Sequence, residues 1–304
     1  MADASGTVPY KLQPIDLFHY IPNLPLAIIC AILFLFFFFY LTYRVKRSKS
    51  PRFLYILPIT SLFEFLGYVI RLKVRTDITI ATYAVMTLFL LLPPNALALV
   101  NYKCAGEIIR LSNAEPKHFF LRPRFVTWFF FASDIFAFVM QGAGGGLQGT
   151  GDPDLSNMGS KIAMIGLAVQ LLFFGSFAVI TVYLDRKPEY VYTIQGQDQP
   201  KKKLIHCLYI TTALLYIRAI YRIIEFAGGY DGPVASAEWA FYVFDSLVLF
   251  LCFVFYSVLY IGNYLPKRDE DDQSSKGWRG ALSTEDVALT NIEKGNTNNY
   301  PHRV

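Results

Sequence analysis

The sequence predicts an all-α, polytopic membrane protein: a bundle of seven transmembrane helices, with the N-terminus outside and the C-terminus in the cytoplasm. Three observations predict it. Apolar residues make up 54% of the 304, and they fall in long runs rather than in short alternating ones. Charged residues are only 17%, against about 25% in an average soluble domain. Lys and Arg crowd into alternate connections between the runs. About 20 apolar residues cross roughly 30 Å of hydrocarbon, and lipid obliges the backbone to bond within itself, so such runs must be helices.

The runs place helices at about 24–43, 53–71, 78–100, 124–141, 159–184, 204–226 and 239–264. One transmembrane domain, 21–264, thus separates an extracellular segment, 1–20, from a cytoplasmic tail, 265–304. The first run follows no basic, cleavable signal pattern and is read as a retained helix, its Phe34 to Phe39 stretch facing lipid. The second carries Pro58, Glu64 and Arg71, which neighbouring helices must shelter. In the third, Pro93-Pro94-Asn95 predicts a kink that frees backbone groups for other partners. The fourth is expected to end before the glycine-rich stretch Gly142 to Gly151, read as a flexible outer loop. Gly144, Gly146 and Gly149 satisfy G-x-G-x-x-G, but no strand precedes them, so nucleotide binding is rejected. Gln170 in the fifth is expected to bond to another helix. The tail is polar, acidic from Asp269 to Asp272, and reads as disordered.

Orientation follows from charge. Of the 28 basic residues, 21 fall in the connections 44–52, 101–124 and 185–203 and in the tail, which positive-inside assigns to the cytoplasm. The net charge of +5 therefore reflects topology rather than a nucleic-acid face. Cys30, Cys104, Cys207 and Cys252 avoid the outer loops and show no metal-ligand spacing, so neither disulfide, metal nor cofactor is expected.

Ionisable groups in hydrocarbon usually face a protein interior or a wet cavity. Here their spacing repeats. Glu64 and Arg71, Asp134 and Gln141, Arg218 and Glu225, and Glu238 and Asp245 are each seven apart, with Arg222 inside the third pair. Seven residues is two turns, so each pair shares a face. Asp134 sits about 15 Å from the inner end of its helix, and Arg218 about 12 Å and Asp245 about 10 Å below the outer ends of theirs. Three Arg and five acids are thus expected to cluster around a cavity that opens outward. The same groups could be ion pairs that fix helix packing, and the two roles are compatible.

These faces resemble a known family. Glu64-Phe-Leu-Gly-Tyr-Val-Ile-Arg71 is similar to the second-helix motif of the fungal aminocholesterol-resistance family, also called the RTA-like or lipid-translocating exporter family. Leu92-Pro-Pro-Asn-Ala-Leu-Ala resembles its third-helix motif, Asp134 to Gln141 with the following glycines its fourth, and Gly159 to Gln170 its fifth. Arg218-Ala-Ile-Tyr-Arg222-Ile-Ile-Glu225-Phe, followed by Glu238, Tyr242 and Asp245, resembles its most specific signature. The resemblance covers roughly 20–265. It implies a seven-helix fungal protein linked to export or tolerance of amphiphiles, including sphingoid long-chain bases, sterol-like toxins and porphyrins. It also implies the plasma membrane, with vacuolar or endosomal membranes as alternatives.

The leading expectation is a translocator of membrane lipids or amphiphilic small molecules. In it, Glu64, Asp134, Glu225, Glu238 or Asp245 receives an ammonium head. No Walker A motif exists, so it is not ATP-driven by itself. A seven-helix receptor or sensor is the alternative. Against a G-protein-coupled receptor, the third helix ends Val100-Asn101-Tyr102-Lys103, and the seventh lacks Asn-Pro-x-x-Tyr. No Lys lies in 239–264, which excludes a retinal protein. An intramembrane enzyme is disfavoured, since His19, His118, His206 and His302 all lie away from mid-membrane. Glu64-Phe-x-Gly recurs as Glu225-Phe-x-Gly, which would suit two parallel three-helix repeats.

Overall fold

The computed structural model describes residues 20, 22–76, 79–112, 122–148, 153–194, 196–228, 234 and 236–267. Among them, the chain forms seven helices long and apolar enough to cross a membrane, and no strand. They are α1 (Leu24–Arg47), α2 (Ile56–Val74), α3 (Ile80–Leu111), α4 (Pro123–Gln148), α5 (Pro153–Arg186), α6 (Pro200–Ala227) and α7 (Glu238–Asn263). The protein is a multi-pass membrane protein. The expected extracellular segment, apart from Tyr20, and the expected tail from residue 268 onward lie outside the described residues. Leu265, assigned to the tail, is buried against the bundle.

Each helix packs on the next in sequence, α1 meets α7 to close the ring, and α3 also touches α5 and α6 across the middle. The end where α1 begins is the upper end, and α2, α4 and α6 finish there. On α1 the lipid-facing stripe is Ile29, Ile32, Phe36, Phe39 and Tyr43, while Ala27, Ala31, Phe34, Phe37, Leu41 and Val45 turn inward. Both stripes advance by three or four residues, as one face of a 3.6-residue helix does.

Several helices outrun their expected spans, α3 and α4 among them. α3 continues past residue 100 to Leu111 because Asn101, Cys104, Ala105, Ile108 and Ile109 keep a buried helical face. α4 continues through the glycines to Gln148, which corrects the expectation of a loop beginning at Gly142. Gly144 serves helix contact instead. A Cβ on Gly144 would stand 2.8 Å from the Cβ of Ala163 and against the carbonyl of Gly159. One on Gly166 would stand 2.7 Å from the Cβ of Met140. Without a hydrophobic drive between helices in lipid, such small-residue contacts let backbones approach and gain dispersion.

Candidate functional site

Seven of the ten sequence-predicted residues meet in the upper half of the bundle, from Glu238 at the upper end itself to Glu64 at a depth of roughly 15 Å. Asp245 on α7 is the hub. Arg218 Nε lies 2.6 Å from its Oδ1 and Arg222 Nη2 lies 3.0 Å from the same atom. Arg222 also holds Glu225, 2.9 Å away and one turn further up α6. Arg71 on α2 reaches Glu238 at 3.3 Å and donates to the Tyr20 hydroxyl at 2.9 Å. Glu238 in turn accepts from the backbone N–H of Asn23 at 2.7 Å, tying the start of α7 to the start of α1. Between the two groups stands Phe241. The Arg71 guanidinium is 4.5 Å and that of Arg222 6.0 Å from its ring centroid, so one aromatic ring serves two cations.

Backbone irregularity aims these groups. Pro94 has no N–H, which leaves the carbonyl of Leu90, four residues earlier, without its helical partner. Arg218 takes it, donating from Nη2 at 3.3 Å. The freed group expected from Pro93-Pro94 is therefore part of the charge site. In α7 the turn Tyr242–Ser246 is π-helical. One extra residue in a turn rotates the remainder of the helix by about 100°. Glu238 and Asp245, seven apart, would share a face in a regular helix. The wide turn lets Glu238 address Arg71 of α2 while Asp245 addresses Arg218 and Arg222 of α6. At the lower end of that turn, Ser246 and the hydroxyl of Tyr68 bond to each other.

Three arginines thus face four carboxylates, and one carboxylate is left over. Glu64 is 1% exposed, and its Oε1 has no hydrogen-bond partner. It feels the charges of Asp245, Arg218 and Arg222 but pairs with none of them. Arg71, which shares its face, goes to α7 instead.

The other three predicted residues lie elsewhere. Gln170 on α5 accepts from Gln141 Nε2 at 2.9 Å and donates to Asn95 Oδ1 at 2.7 Å, a buried amide chain joining α4, α5 and α3. The interhelical role expected for Gln170 is thus present. Asp134 on α4 does not join the charge cluster. It is fully buried, with Tyr102 as its polar neighbour. A further junction carries no motif in the sequence. Asn101 Oδ1 accepts from Tyr256 at 2.8 Å and from Thr211 at 3.2 Å, while its Nδ2 donates to Thr212 at 3.3 Å. The signal was a buried-face Asn at the end of an apolar run, opposite adjacent threonines. Among the described residues, no group of His, Cys, Asp and Glu is placed to hold a metal.

Comparison with known proteins carries the same motifs to a family. Residues 57–268, which contain all ten predicted residues, match the family model described as RTA1 like protein. The chain belongs to the RTA1-like family. Protein RTA1 of Saccharomyces cerevisiae is 31% identical over 239 residues, 76% of this chain and 73% of that one. Protoporphyrin uptake protein 1 of the same yeast is 29% identical over 204 residues, 65% of either chain. Sphingoid long-chain base transporter RSB1, also from that yeast, is 26% identical over 175 residues, 46% of either chain. The match therefore spans less than two thirds of the last two. No solved structure matches. Lipid transport is an activity named within the RTA1-like family, and the charged face is part of the region this chain shares with it.

Proposed function

We propose that this protein translocates amphiphiles with a cationic head, sphingoid long-chain bases above all, and so contributes to their export or to resistance. The reading places the upper end outside the cell and the protein in the plasma membrane. One observation carries it: the leftover Glu64. A buried carboxylate without a counter-charge is costly, and an arriving ammonium group removes that cost by pairing with this fourth carboxylate. Phe241 and Tyr242 beside the arginines offer ring faces to the same head. The names of the lipid-transporting relatives support the substrate class.

The test is movement of a fluorescent sphingoid base in liposomes holding the full-length protein. Loss of a charge-assisted contact is worth about 1.5–3 kcal/mol, so Glu64→Gln should slow movement about tenfold or more. An N-acetylated analogue, which has no charge, should move slowly with either protein. Equal rates for the two proteins would sink the role of Glu64. Binding without movement in the unmodified protein would favour the receptor alternative instead.

A further inference from the structure

Asp134 is the one predicted acid that the charge cluster leaves out. It is 0% exposed, and the group its carboxylate meets is the Tyr102 hydroxyl rather than a cation. The Ser133 hydroxyl beside it is also buried and has no hydrogen-bond partner. The surroundings are aromatic: Tyr102 packs on Phe130 at 5.4 Å and Phe177 at 4.7 Å between ring centroids.

The helices that pack on α4 offer no counter-charge. Between Arg124 and Gln148, Asp134 is the single titratable residue of α4, and α5 has none between Lys161 and Tyr183. On α3 the titratable residues at this level are Tyr102, Lys103 and Cys104. Tyr102 faces Asp134, Cys104 is turned toward Cys207 of α6, and Lys103 lies about 100° further round the helix. Glu225, Glu238 and Asp245, by contrast, each have an arginine at ion-pair distance.

We infer that Asp134 is the proton-binding site through which this protein couples movement of a cationic amphiphile to a transmembrane proton gradient. The inference rests on the translocator reading and adds its source of energy. With a proton bound, Asp134 is neutral and compatible with its apolar shell. Without it, the group is an isolated buried charge, costing several kcal/mol. The proton can therefore leave only when the packing of α3, α4 and α5 changes and admits water. Proton occupancy is then tied to conformation, which is the requirement for coupling. Tyr102 can donate to the ionised carboxylate and accept from the neutral acid, so one hydroxyl serves both states. The carboxyl O–H is the only bond made and broken. A proton enters from water on one side and leaves to water on the other, while one amphiphile cation moves oppositely, so charge is conserved.

The probe is a fluorescent N,N,N-trimethyl sphingoid base, whose permanent charge prevents it from distributing as a neutral amine. Exchange is first measured in proteoliposomes without a gradient, which tests translocation by itself. A pH difference is then applied, and one-for-one exchange should accumulate the probe by up to about tenfold per pH unit. Asp134→Asn should keep exchange yet lose accumulation and the accompanying proton flux. Tyr102→Phe, which keeps the aromatic packing, should shift the pH at which accumulation is half-maximal. The inference is overturned if the unmodified protein exchanges the probe but ignores the pH difference. It is also overturned if a sodium gradient replaces the proton gradient, if Asp134→Asn accumulates normally, or if Tyr102→Phe leaves the pH profile unmoved.

Discussion

Replacing Asp245 by Asn removes the carboxylate that Arg218 and Arg222 share. Their fates differ. Arg222 keeps Glu225 at 2.9 Å, but Arg218, with a side chain only 7% exposed, keeps just the Leu90 carbonyl at 3.3 Å. Stranding one buried cation costs about 3–5 kcal/mol. Glu225→Gln strands none, because Arg222 retains Asp245, and the Glu225 side chain is 19% exposed near the upper end, so about 1 kcal/mol is expected. In a reversible unfolding measurement in detergent micelles, Asp245→Asn should lower the midpoint by roughly 10 °C, and Glu225→Gln by a few degrees. Adding Arg218→Gln to Asp245→Asn should restore much of the loss, since a neutral pair leaves no stranded charge. A fall for Asp245→Asn no larger than for Glu225→Gln would refute the hub geometry.

Backbone features give two further expected outcomes. Pro94→Ala returns an N–H to the Leu90 carbonyl and sets it against Arg218. The new amide should be protected from hydrogen exchange and movement of the base should slow, whereas a freely exchanging amide would show that the carbonyl stays with Arg218. Gly144→Leu should cost about 1–3 kcal/mol by forcing α4 from α5. Gly146→Ala, where a Cβ meets nothing within 4 Å, should instead gain about 0.5–1 kcal/mol. The same unfolding assay distinguishes them, and similar changes would remove the close-approach argument.

The number of spans was legible because bilayer thickness imposes a run length that seven stretches satisfy. Helix ends were not, because beyond the hydrocarbon a helix is held by packing, as Cys104, Ala105, Ile108 and Ile109 hold the end of α3. Gly142 to Gly146 misled for a related reason. Low intrinsic propensity argues for a loop, but at Gly144 contact with Gly159 and Ala163 rewards the smallest side chain inside a helix. At the site, the spacing of seven found the right faces and not the right partners. It put Arg71 beside Glu64, two turns apart on one helix and too distant to pair, and the partner proved to be Glu238 on α7. The echo between Glu64 and Glu225 also loses weight. Glu64 lies ten residues from the end of α2, while Glu225 lies two from the end of α6.

The wide turn of α7 has a consequence for how related chains can diverge. Deleting Val243 or Phe244 would regularise the helix and swing Glu238 away from Arg71 by about 100°, with every charged residue still present. Substitutions within the turn leave that angle alone. Selection acting on this stretch must therefore guard its length more closely than its spelling. An alignment that closes a one-residue gap there for tidiness would erase the feature that sends two acids of one helix to two different neighbours.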